Sequence, residues 1–347
     1  MEKSNKKLGI ALLGLGKYAT EQLAPALQQT NHCYLAAIVT GDDNKAKQWK
    51  EKYKLDEQCV YDYDNFDTIR ANPAVDIVYI VTPNALHADF VVRAAKAGKH
   101  VICEKPMATT LEDCDRMIEA CKNNGVTLSV GYRLHFEPYN QEMMRLGNTH
   151  KLGYVQQLIA RDGIEGASGW RLDPLLAGKG GPLMDLGIYC MQASNYVYNM
   201  SPIAVTAQQA GQTVSFQLEY PGGFTSDCCC SFSNKMNYLH AAANNGWFEL
   251  KPAFGYAGIK GKTSIGELHF DQVNQQALEM DTISKAILLG EPTPVPGEMG
   301  RDDVVILLAI NEALESGARI LLHPANRQSA TTETGGVING AFFTVEE

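Results

Sequence analysis

The composition of this chain is that of a globular protein with room for two domains. It has 347 residues, of which 45% are hydrophobic and 20% charged, and its formal net charge is −9 at pH 7. This composition excludes a disordered chain, and the length supports two separate cores. The acidic balance argues against a nucleic-acid or anionic-membrane partner, because both favour a basic face. No apolar run reaches the roughly 18 residues that span a bilayer.

The N-terminus and the cysteines predict a cytoplasmic protein that holds no metal. Residues 1–7 lead directly into the first predicted strand, without the apolar region of a secretory signal. Nine scattered cysteines fit buried thiols in a reducing compartment better than a disulfide framework. Cys228, Cys229 and Cys230 are consecutive, and neighbours in a strand point to opposite faces, so the three cannot converge on one ion. No histidine pair has metal-binding spacing either.

The first part of the chain begins with the pattern of a dinucleotide site. An apolar strand runs into Gly14, Gly16 and Ala19, and a helical pattern follows. Gly14 permits a tight turn, Gly16 lets backbone N–H groups approach a pyrophosphate, and Ala19 lets the helix pack closely on the sheet. This order of strand, glycine turn and helix is the context that gives the motif its meaning.

Residues 1–131 are predicted to form a Rossmann domain of the α/β class. Strand and helix patterns alternate, which is typical of a doubly wound parallel sheet that binds ligands outside the carboxyl ends of its strands. The predicted strands are residues 8–13, 34–40, 77–81, 100–103 and 127–131, and the predicted helices are residues 21–29, 44–54, 86–97 and 111–124.

Residues 132–347 are predicted to form an α+β domain for substrate binding and oligomerisation. Longer alternating strands predict an open, mostly antiparallel sheet. A tail over residues 326–347, rich in Thr, Gly, Asn and Ser, is predicted to be loosely attached. The predicted strands are residues 154–162, 204–209, 214–220 and 224–232, and the predicted helices are residues 183–197, 273–289 and 302–316.

The end of the second strand favours NADP over NAD. An Asp or Glu at this point accepts the ribose 2′-hydroxyl of NAD, whereas this chain has Thr40 and Gly41. A hydroxyl, a free backbone N–H and nearby Lys45 can hold a 2′-phosphate through charge-assisted hydrogen bonds. NAD stays open as an alternative, because a loop shift could turn Asp42 or Asp43 toward the ribose.

Three further residues predict proton-transfer chemistry. Lys105 directly follows a predicted strand, which places it at the ligand-binding edge of the sheet. Asp185 and Tyr189 are four residues apart and share one face of a predicted helix. A phenol is a poor base at neutral pH unless a cation lies beside it, and Lys105 is the candidate cation. Taken singly, these residues would be a surface lysine, a helix-start aspartate and a half-buried aromatic.

With these motifs assembled, the chain resembles the glucose–fructose oxidoreductase, inositol dehydrogenase and rhizopine-catabolism (Gfo/Idh/MocA) family over nearly its whole length. Several stretches are similar to the glucose–fructose oxidoreductase branch, which has a tyrosine where many relatives have histidine. The residues that carry the resemblance are Gly14, Gly16, Ala19, Thr82, Pro83, Asn84, His87, Glu104, Lys105, Pro106, Gly131, Arg133, Asp185 and Tyr189.

The resemblance implies roles for particular residues. Lys105 and Tyr189 are expected to act at a sugar hydroxyl or carbonyl, with Asp185 orienting the substrate or the acid–base group. Substrate contacts are expected from Lys105, Arg133, Asp185, Tyr189 and Tyr256. Besides the residues named above, cofactor contacts are expected from Lys17, Tyr18, Thr82, Pro83, Asn84, His87, Glu104, Lys105, Arg133, Trp170 and Arg171.

The sequence therefore predicts an NADP-dependent oxidoreductase that acts on an aldose or a related polyol. The alternatives are an NAD(P)-assisted glycoside hydrolase, a trans-dihydrodiol dehydrogenase and a non-catalytic sensor. The exported glucose–fructose enzyme has a long N-terminal arm that helps to retain NADP, and the short segment before the first strand here leaves both retention and release of NADP open. A homodimer or homotetramer is expected through the C-terminal sheet, with the strand around residues 228–232 near the interface.

Overall fold

The first half of the chain folds around a parallel six-stranded sheet. The computed structural model describes residues 6–322. The strand order is β3-β2-β1-β4-β5-β6, and every pairing in this sheet is parallel. The predicted doubly wound α/β fold is therefore confirmed. The strands are β1 (Leu8–Leu13), β2 (Cys33–Val39), β3 (Val60–Tyr61), β4 (Ile77–Ile80), β5 (His100–Glu104) and β6 (Leu128–Gly131).

Helices connect these strands near the predicted positions. The first connection begins as a π-helical turn, Ala19–Leu23, and continues as α1 (Ala24–Leu27), so it starts earlier than residues 21–29. Ala19 is fully buried against the sheet, as the glycine-turn motif requires. The remaining helices are α2 (Asp43–Tyr53), α3 (His87–Lys96) and α4 (Leu111–Asn123).

The second half is built on a nine-stranded sheet, in the order β14-β13-β12-β11-β7-β10-β9-β8-β15. All pairings are antiparallel except that between β7 and β10, so the predicted open, mostly antiparallel sheet is confirmed. The strands are β7 (Val155–Glu165), β8 (Ala204–Ala210), β9 (Thr213–Glu219), β10 (Thr225–Ser231), β11 (Ser233–Ala243), β12 (Gly246–Leu250), β13 (Gly261–Thr263), β14 (Gly266–Leu268) and β15 (Ile320–Leu321).

Helices cover one face of this sheet and also return to the first one. Helix α8 packs against α1 and β2, and α9 packs against α4 and β6. The sequence predicts a domain boundary at residue 131. In the structure, however, helices α8 and α9, which come after this boundary, pack on the first half of the chain. The helices are α5 (Pro138–Thr149), α6 (Pro174–Ala177), α7 (Ile188–Tyr198), α8 (Gln275–Leu289) and α9 (Gly297–Ser316).

Several elements were not predicted. Helix α5 and the hairpin of β11 and β12 lie in stretches where polar and apolar residues follow neither period closely. Their inward positions are set by packing, since β11 pairs with β7 along nearly its whole length. The predicted tail over residues 326–347 lies outside the described residues.

One carboxylate joins helix α8 to the first half of the chain. Asp281 accepts hydrogen bonds from the backbone N–H groups of Asn31 and His32, each at 2.8 Å, and from the Asn31 side-chain amide at 3.3 Å. These two N–H groups lie in the loop before β2 and have no other acceptor within the described part of the chain. Asp281 thus fixes α8 at the edge of the parallel sheet.

We expect Asp281→Ala to lower the free energy of unfolding by about 1 kcal/mol, because it replaces hydrogen bonds to a carboxylate by hydrogen bonds to water and releases α8 from the loop before β2. Urea unfolding measures the effect, with Glu291→Ala as the matched control, since Glu291 is exposed just beyond the same helix. Equal stability of the two variants would contradict this account of the helix anchor.

Candidate active site

The candidate active site is centred on Lys105, at the carboxyl edge of the parallel sheet. Strand β5 ends at Glu104, so Lys105 is the first residue beyond it. Its side chain is only 8% exposed. The ammonium donates to the backbone oxygen of Asp185 at 2.7 Å and to Oδ1 of Asp185 at 3.2 Å. It also lies 4.4 Å from the ring centre of Tyr189. The three predicted catalytic residues therefore meet at one point.

A π-helical turn, Leu183–Gly187, delivers Asp185 and Tyr189 to this point before continuing into α7. Gly180 and Gly181 turn the chain into it with positive φ angles of 91° and 53°. At the end of the turn, a Cβ on Gly187 would lie 3.0 Å from the Cys230 sulfur on β10. The glycine therefore allows the turn to pack directly on the second sheet.

Asp185 is held between two cations. Besides Lys105, the Nε of Arg171 donates to its Oδ2 at 2.7 Å. Burial alone would raise the pKa of Asp185, but Lys105 and Arg171 outweigh burial and lower it. Asp185 is thus an anion that positions Lys105 rather than a base at neutral pH.

The same pairing keeps Lys105 charged. Burial alone would lower the pKa of Lys105, but the Tyr189 oxygen and the carboxylates of Asp185 and Glu104 outweigh it and raise the pKa. A buried ammonium beside a phenol is an arrangement that stabilises negative charge on oxygen.

Arg133 is a second cation in contact with Tyr189. Its Nε donates to the Tyr189 hydroxyl at 3.2 Å, and its other nitrogens donate to Phe254 O at 2.7 Å, Gln275 Oε1 at 2.5 Å and Gly255 O at 3.2 Å. Arg133 is 3% exposed. Most N–H donors of Arg133 are therefore occupied by protein groups. These bonds fix the guanidinium, which in turn positions the Tyr189 hydroxyl.

Aromatic rings border the site. Tyr256 is 46% exposed, stacks on the Arg133 guanidinium at 4.5 Å and lies 5.8 Å from the ring of Tyr18. Trp170 is half-buried and its ring lies 5.1 Å from the guanidinium of Arg171. The structure thus brings Tyr256 and Tyr18 together with the Lys105 centre, and Arg171 links Trp170 to the same centre.

The glycine turn has the shape that a dinucleotide requires. Gly14 has φ of 95°, and a Cβ there would lie 2.7 Å from the carbonyl oxygen of Val81. A Cβ on Gly16 would meet no heavy atom within 4 Å, so its backbone faces open space. Next to this turn, the Thr82 hydroxyl is buried without a hydrogen-bond partner among residues 6–322. An orphaned hydroxyl beside an open glycine backbone fits a bound cofactor.

The other predicted cofactor residues fall into two groups. Lys17 is exposed near Glu21, and Lys45 is exposed in the first turn of α2. Thr40 is buried and Gly41 is exposed. Asp42, which the sequence left as a possible ribose ligand, is the N-cap of α2 and accepts from the Lys45 backbone N–H at 3.0 Å. Its carboxylate is thus already engaged by its own helix.

His87 and its neighbours instead hold the loops of the site together. The His87 ring is fully buried, with Nε2 2.9 Å from Thr82 O and Nδ1 3.1 Å from Pro106 O. Asn84 is buried and donates to Ala177 O at 2.8 Å. Pro83 precedes this turn as its N-cap residue. Cofactor contacts by these three residues stay predictions.

Sequence reasoning missed Asp162, a carboxyl group that faces the interior from β7. It is 6% exposed, and burial raises its pKa to about 7, although Arg133 and Lys105 oppose the effect. The signal was present: Leu158 and Ala160 occupy the preceding inward positions, so Asp162 is a polar residue on the apolar face of a strand. Gln275 was missed because only the folded chain brings it to Arg133.

Two features of residues 6–322 bear on other classes of function. No group of three His, Cys, Asp or Glu side chains there is arranged to hold a metal ion. No helix in the same part of the chain has the length and apolar character to cross a membrane. All nine cysteines are free thiols, and Cys229 alone among them is not buried.

Known proteins share this architecture. A crystal structure of aldose–aldose oxidoreductase from Caulobacter crescentus, complexed with glycerol, is 38% identical and has a TM-score of 0.89, covering 91% of this chain and all of that one. D-xylose 1-dehydrogenase [NADP(+)] of Haloarcula marismortui is 29% identical over 90% of this chain and 92% of its own length. Trans-1,2-dihydrobenzene-1,2-diol dehydrogenase of Mus musculus is 26% identical over 70% of this chain and 74% of its own.

Family models match both halves of the chain. Residues 8–132 match an oxidoreductase family with an NAD-binding Rossmann fold, and residues 141–250 match the GFO/IDH/MocA C-terminal domain. The resemblance inferred from the motifs is thereby confirmed. The chain belongs to the GFO/IDH/MocA oxidoreductase family.

Proposed function

We propose that this protein is an NADP-dependent oxidoreductase that transfers hydride between an aldose and the nicotinamide. The observation that carries the proposal is the buried Lys105 ammonium, held by Asp185 against the ring of Tyr189. The aldose substrates named for the Caulobacter and Haloarcula relatives support the substrate class, and the NADP named for the Haloarcula enzyme supports the cofactor.

The chain's own residues supply the proton chemistry. The Tyr189 phenolate accepts the proton of the sugar hydroxyl as hydride leaves the sugar carbon, and Lys105 stabilises the negative charge on oxygen. In the reverse direction the Tyr189 hydroxyl donates this proton to the sugar carbonyl oxygen. Arg133 donates to the Tyr189 hydroxyl at 3.2 Å and holds the phenol in place. Asp185 keeps Lys105 in position through two contacts. When bound, NADP supplies the hydride acceptor.

Separate parts of the site would hold the two ligands. The glycine turn and the Thr82 hydroxyl would hold the pyrophosphate and the nicotinamide side of NADP, with Thr40, Gly41 and Lys45 at the 2′-phosphate. The sugar would lie against the half-exposed rings of Trp170 and Tyr256, which offer apolar faces beside charged groups.

A second candidate is oxidoreduction between two sugars on an NADP that stays bound. The Caulobacter relative, named an aldose–aldose oxidoreductase and 38% identical, favours it. The similarity to the murine trans-1,2-dihydrobenzene-1,2-diol dehydrogenase supports a further alternative, in which the substrate is a diol of that kind. No relative reported above supports the glycoside hydrolase considered from the sequence.

We also propose that the enzyme is a cytoplasmic homodimer or homotetramer. Free thiols throughout the chain support a reducing compartment. The face of the nine-stranded sheet away from α7 carries half-buried Ile159, Tyr238, His240 and Trp247, the last three with stacked rings. A second copy would cover this face. Strand β10, which was expected near the interface, lies between β7 and β9 in the interior of the sheet. It could therefore contribute to an interface through its face but not as an edge strand.

We expect Lys105→Met to lower kcat with an aldose about a thousandfold, because it removes the charge that stabilises the developing oxyanion. The dissociation constant for NADP, measured by fluorescence titration, should change less than about twofold. Tyr189→Phe should lower kcat to a similar extent without removing the ring.

Lys179→Met is the matched control, since Lys179 is exposed and pairs with Glu315 away from the centre. Unchanged turnover in Lys105→Met would refute the assignment of this lysine.

We expect Lys45→Ala to raise KM for NADP about fivefold and to leave KM for NAD unchanged, because only NADP carries the 2′-phosphate that the ammonium binds. Lys47→Ala is the control, because Lys47 is also exposed but lies about 200° around α2 from Lys45 and so points away from the 2′-phosphate position. An equal rise in both KM values, or none, would show that Lys45 does not read the 2′-phosphate.

The two candidate activities differ in what the purified protein retains. A dehydrogenase that releases its cofactor should contain no NADP after purification, so the denatured sample should contain none either. It should form NADPH when NADP and an aldose are added. Mass and absorbance analysis of the denatured protein measures the NADP content directly. Stoichiometric NADP in the denatured sample, with sugar oxidation only when a second sugar is present, would establish the aldose–aldose reaction instead.

A further inference from the structure

Two buried carboxyl groups share one phenol beneath Lys105. Glu104 ends β5, Tyr79 lies on the neighbouring strand β4, and Glu279 comes from α8. The Tyr79 hydroxyl lies 2.8 Å from Glu104 Oε1 and 3.3 Å from Glu279 Oε2. Tyr79 and Glu279 are fully buried and Glu104 is 9% exposed. The proposed reaction uses neither carboxyl group directly, so their close approach needs its own explanation.

The backbone of β6 leaves room for this cluster. A Cβ on Gly131 would lie 3.0 Å from Glu104 Oε1 and 3.1 Å from the Tyr79 hydroxyl. A side chain at this position would therefore press on the shortest hydrogen bond of the cluster. The absence of one at Gly131 lets Glu104 and Tyr79 meet against the strand.

The Glu104–Tyr79–Glu279 cluster needs one more proton than the Tyr79 hydroxyl supplies. A phenol hydroxyl has a single hydrogen, and the shorter contact assigns it to Glu104. Glu104 also accepts the Lys105 backbone N–H at 3.3 Å. Glu279 can bond to the Tyr79 oxygen only if Glu279 itself carries a proton. Its other oxygen, Oε1, is buried with no hydrogen-bond partner in the described residues, which is costly for a carboxylate and much less so for a neutral acid.

The surrounding charges lead to the same assignment. The titratable or charged groups that face Glu279 are Glu104, Tyr79, Tyr18 and Arg133. Arg133 is the cation among them, and its donors are taken by Tyr189, Gln275 and the 254–255 backbone. Burial, and then the negative charge of Glu104, raise the pKa of Glu279 well above its ordinary value.

We propose that Glu279 carries a proton at neutral pH and, through Tyr79 and Glu104, positions Lys105. Glu279 O–H donates to the Tyr79 oxygen, and Tyr79 O–H donates to the Glu104 carboxylate. That carboxylate in turn accepts the Lys105 N–H. One proton on Glu279 thus completes the two hydrogen bonds that link these three side chains, and α8 is coupled to the strand that presents the Lys105 ammonium. The positioning role rests on the proposed function, whereas the protonation of Glu279 does not.

Infrared spectroscopy of the protein tests the proton itself. A protonated carboxyl group absorbs in a region where carboxylates do not, so this absorption at pH 7 should be weaker in Glu279→Gln than in wild type, while the contribution of Asp162 is common to both. Glu291→Gln, which changes an exposed glutamate beyond the same helix, should leave the absorption intact. If wild type and Glu279→Gln have the same spectrum in this region, Glu279 is ionised and the proposal fails. This outcome is independent of any sugar substrate.

Kinetics test the positioning role. A glutamine amide can still donate to the Tyr79 oxygen, so Glu279→Gln should keep kcat within about twofold of wild type. Glu279→Leu has no donor and should lower kcat about tenfold with little change in KM for NADP. Wild-type kcat in Glu279→Leu would overturn the positioning role. If no aldose is oxidised by the wild-type protein, the proposed function fails while the infrared result still decides the protonation.

The pH dependence of the melting temperature is a second, independent test of the protonation of Glu279. A carboxyl group whose pKa is raised on folding binds a proton in the folded state over a pH range where the unfolded chain has lost it. Its contribution is full below the unfolded value of about 4.3 and is lost as pH rises toward the folded value. The melting temperature of wild type should therefore fall more steeply from about pH 5 to about pH 8 than that of Glu279→Gln. Parallel curves would contradict a protonated Glu279.

Discussion

The buried ammonium of Lys105 is the constraint on which the rest of the site depends. A charge this deeply enclosed is tolerated only with an anion and further acceptors beside it. Asp185 provides both a carboxylate and a backbone oxygen, from a turn that lies 80 positions later in the chain. The parallel sheet and the second domain must therefore meet at this point for Lys105 to be buried at all. The proposed catalytic pair, Lys105 and Asp185, is therefore also a contact between the two halves of the chain.

This junction is supported from several sides. Arg133, just after β6, reaches the carbonyl groups of the 254–255 turn, so the segment that follows the parallel sheet is bound to a distant part of the chain. Helices α8 and α9 come late in the chain and complete the first half by packing on its sheet and helices. An enzyme that must place a hydride donor and a base within one reaction distance benefits from such a fixed arrangement, because misplacement of either group is costly to rate.

Motifs with local physical causes were predictable from the sequence. The glycine turn requires φ above zero at Gly14 and open backbone at Gly16, and both follow from chain geometry near β1. The position of Lys105 followed from the end of a predicted strand, and the pairing of Asp185 with Tyr189 followed from their spacing of four residues in a predicted helix. Arg133, Glu279 and Asp162 were harder, because their surroundings come from segments far apart in the chain. Arg133 was expected to contact ligands, and its four hydrogen bonds to protein groups could not be foreseen from spacing.

The balance of charge in the site follows from these buried groups. Three cations, Lys105, Arg133 and Arg171, face the anions Asp185 and Glu104, and with Glu279 protonated this leaves an excess of positive charge. Asp162 has a pKa of about 7, so it is about half ionised at neutral pH and reduces that excess further as pH rises. Positive charge near the reacting hydroxyl favours loss of its proton to Tyr189. With Glu279 neutral and Asp162 only partly ionised near neutral pH, one positive charge is not fully compensated where negative charge develops on oxygen.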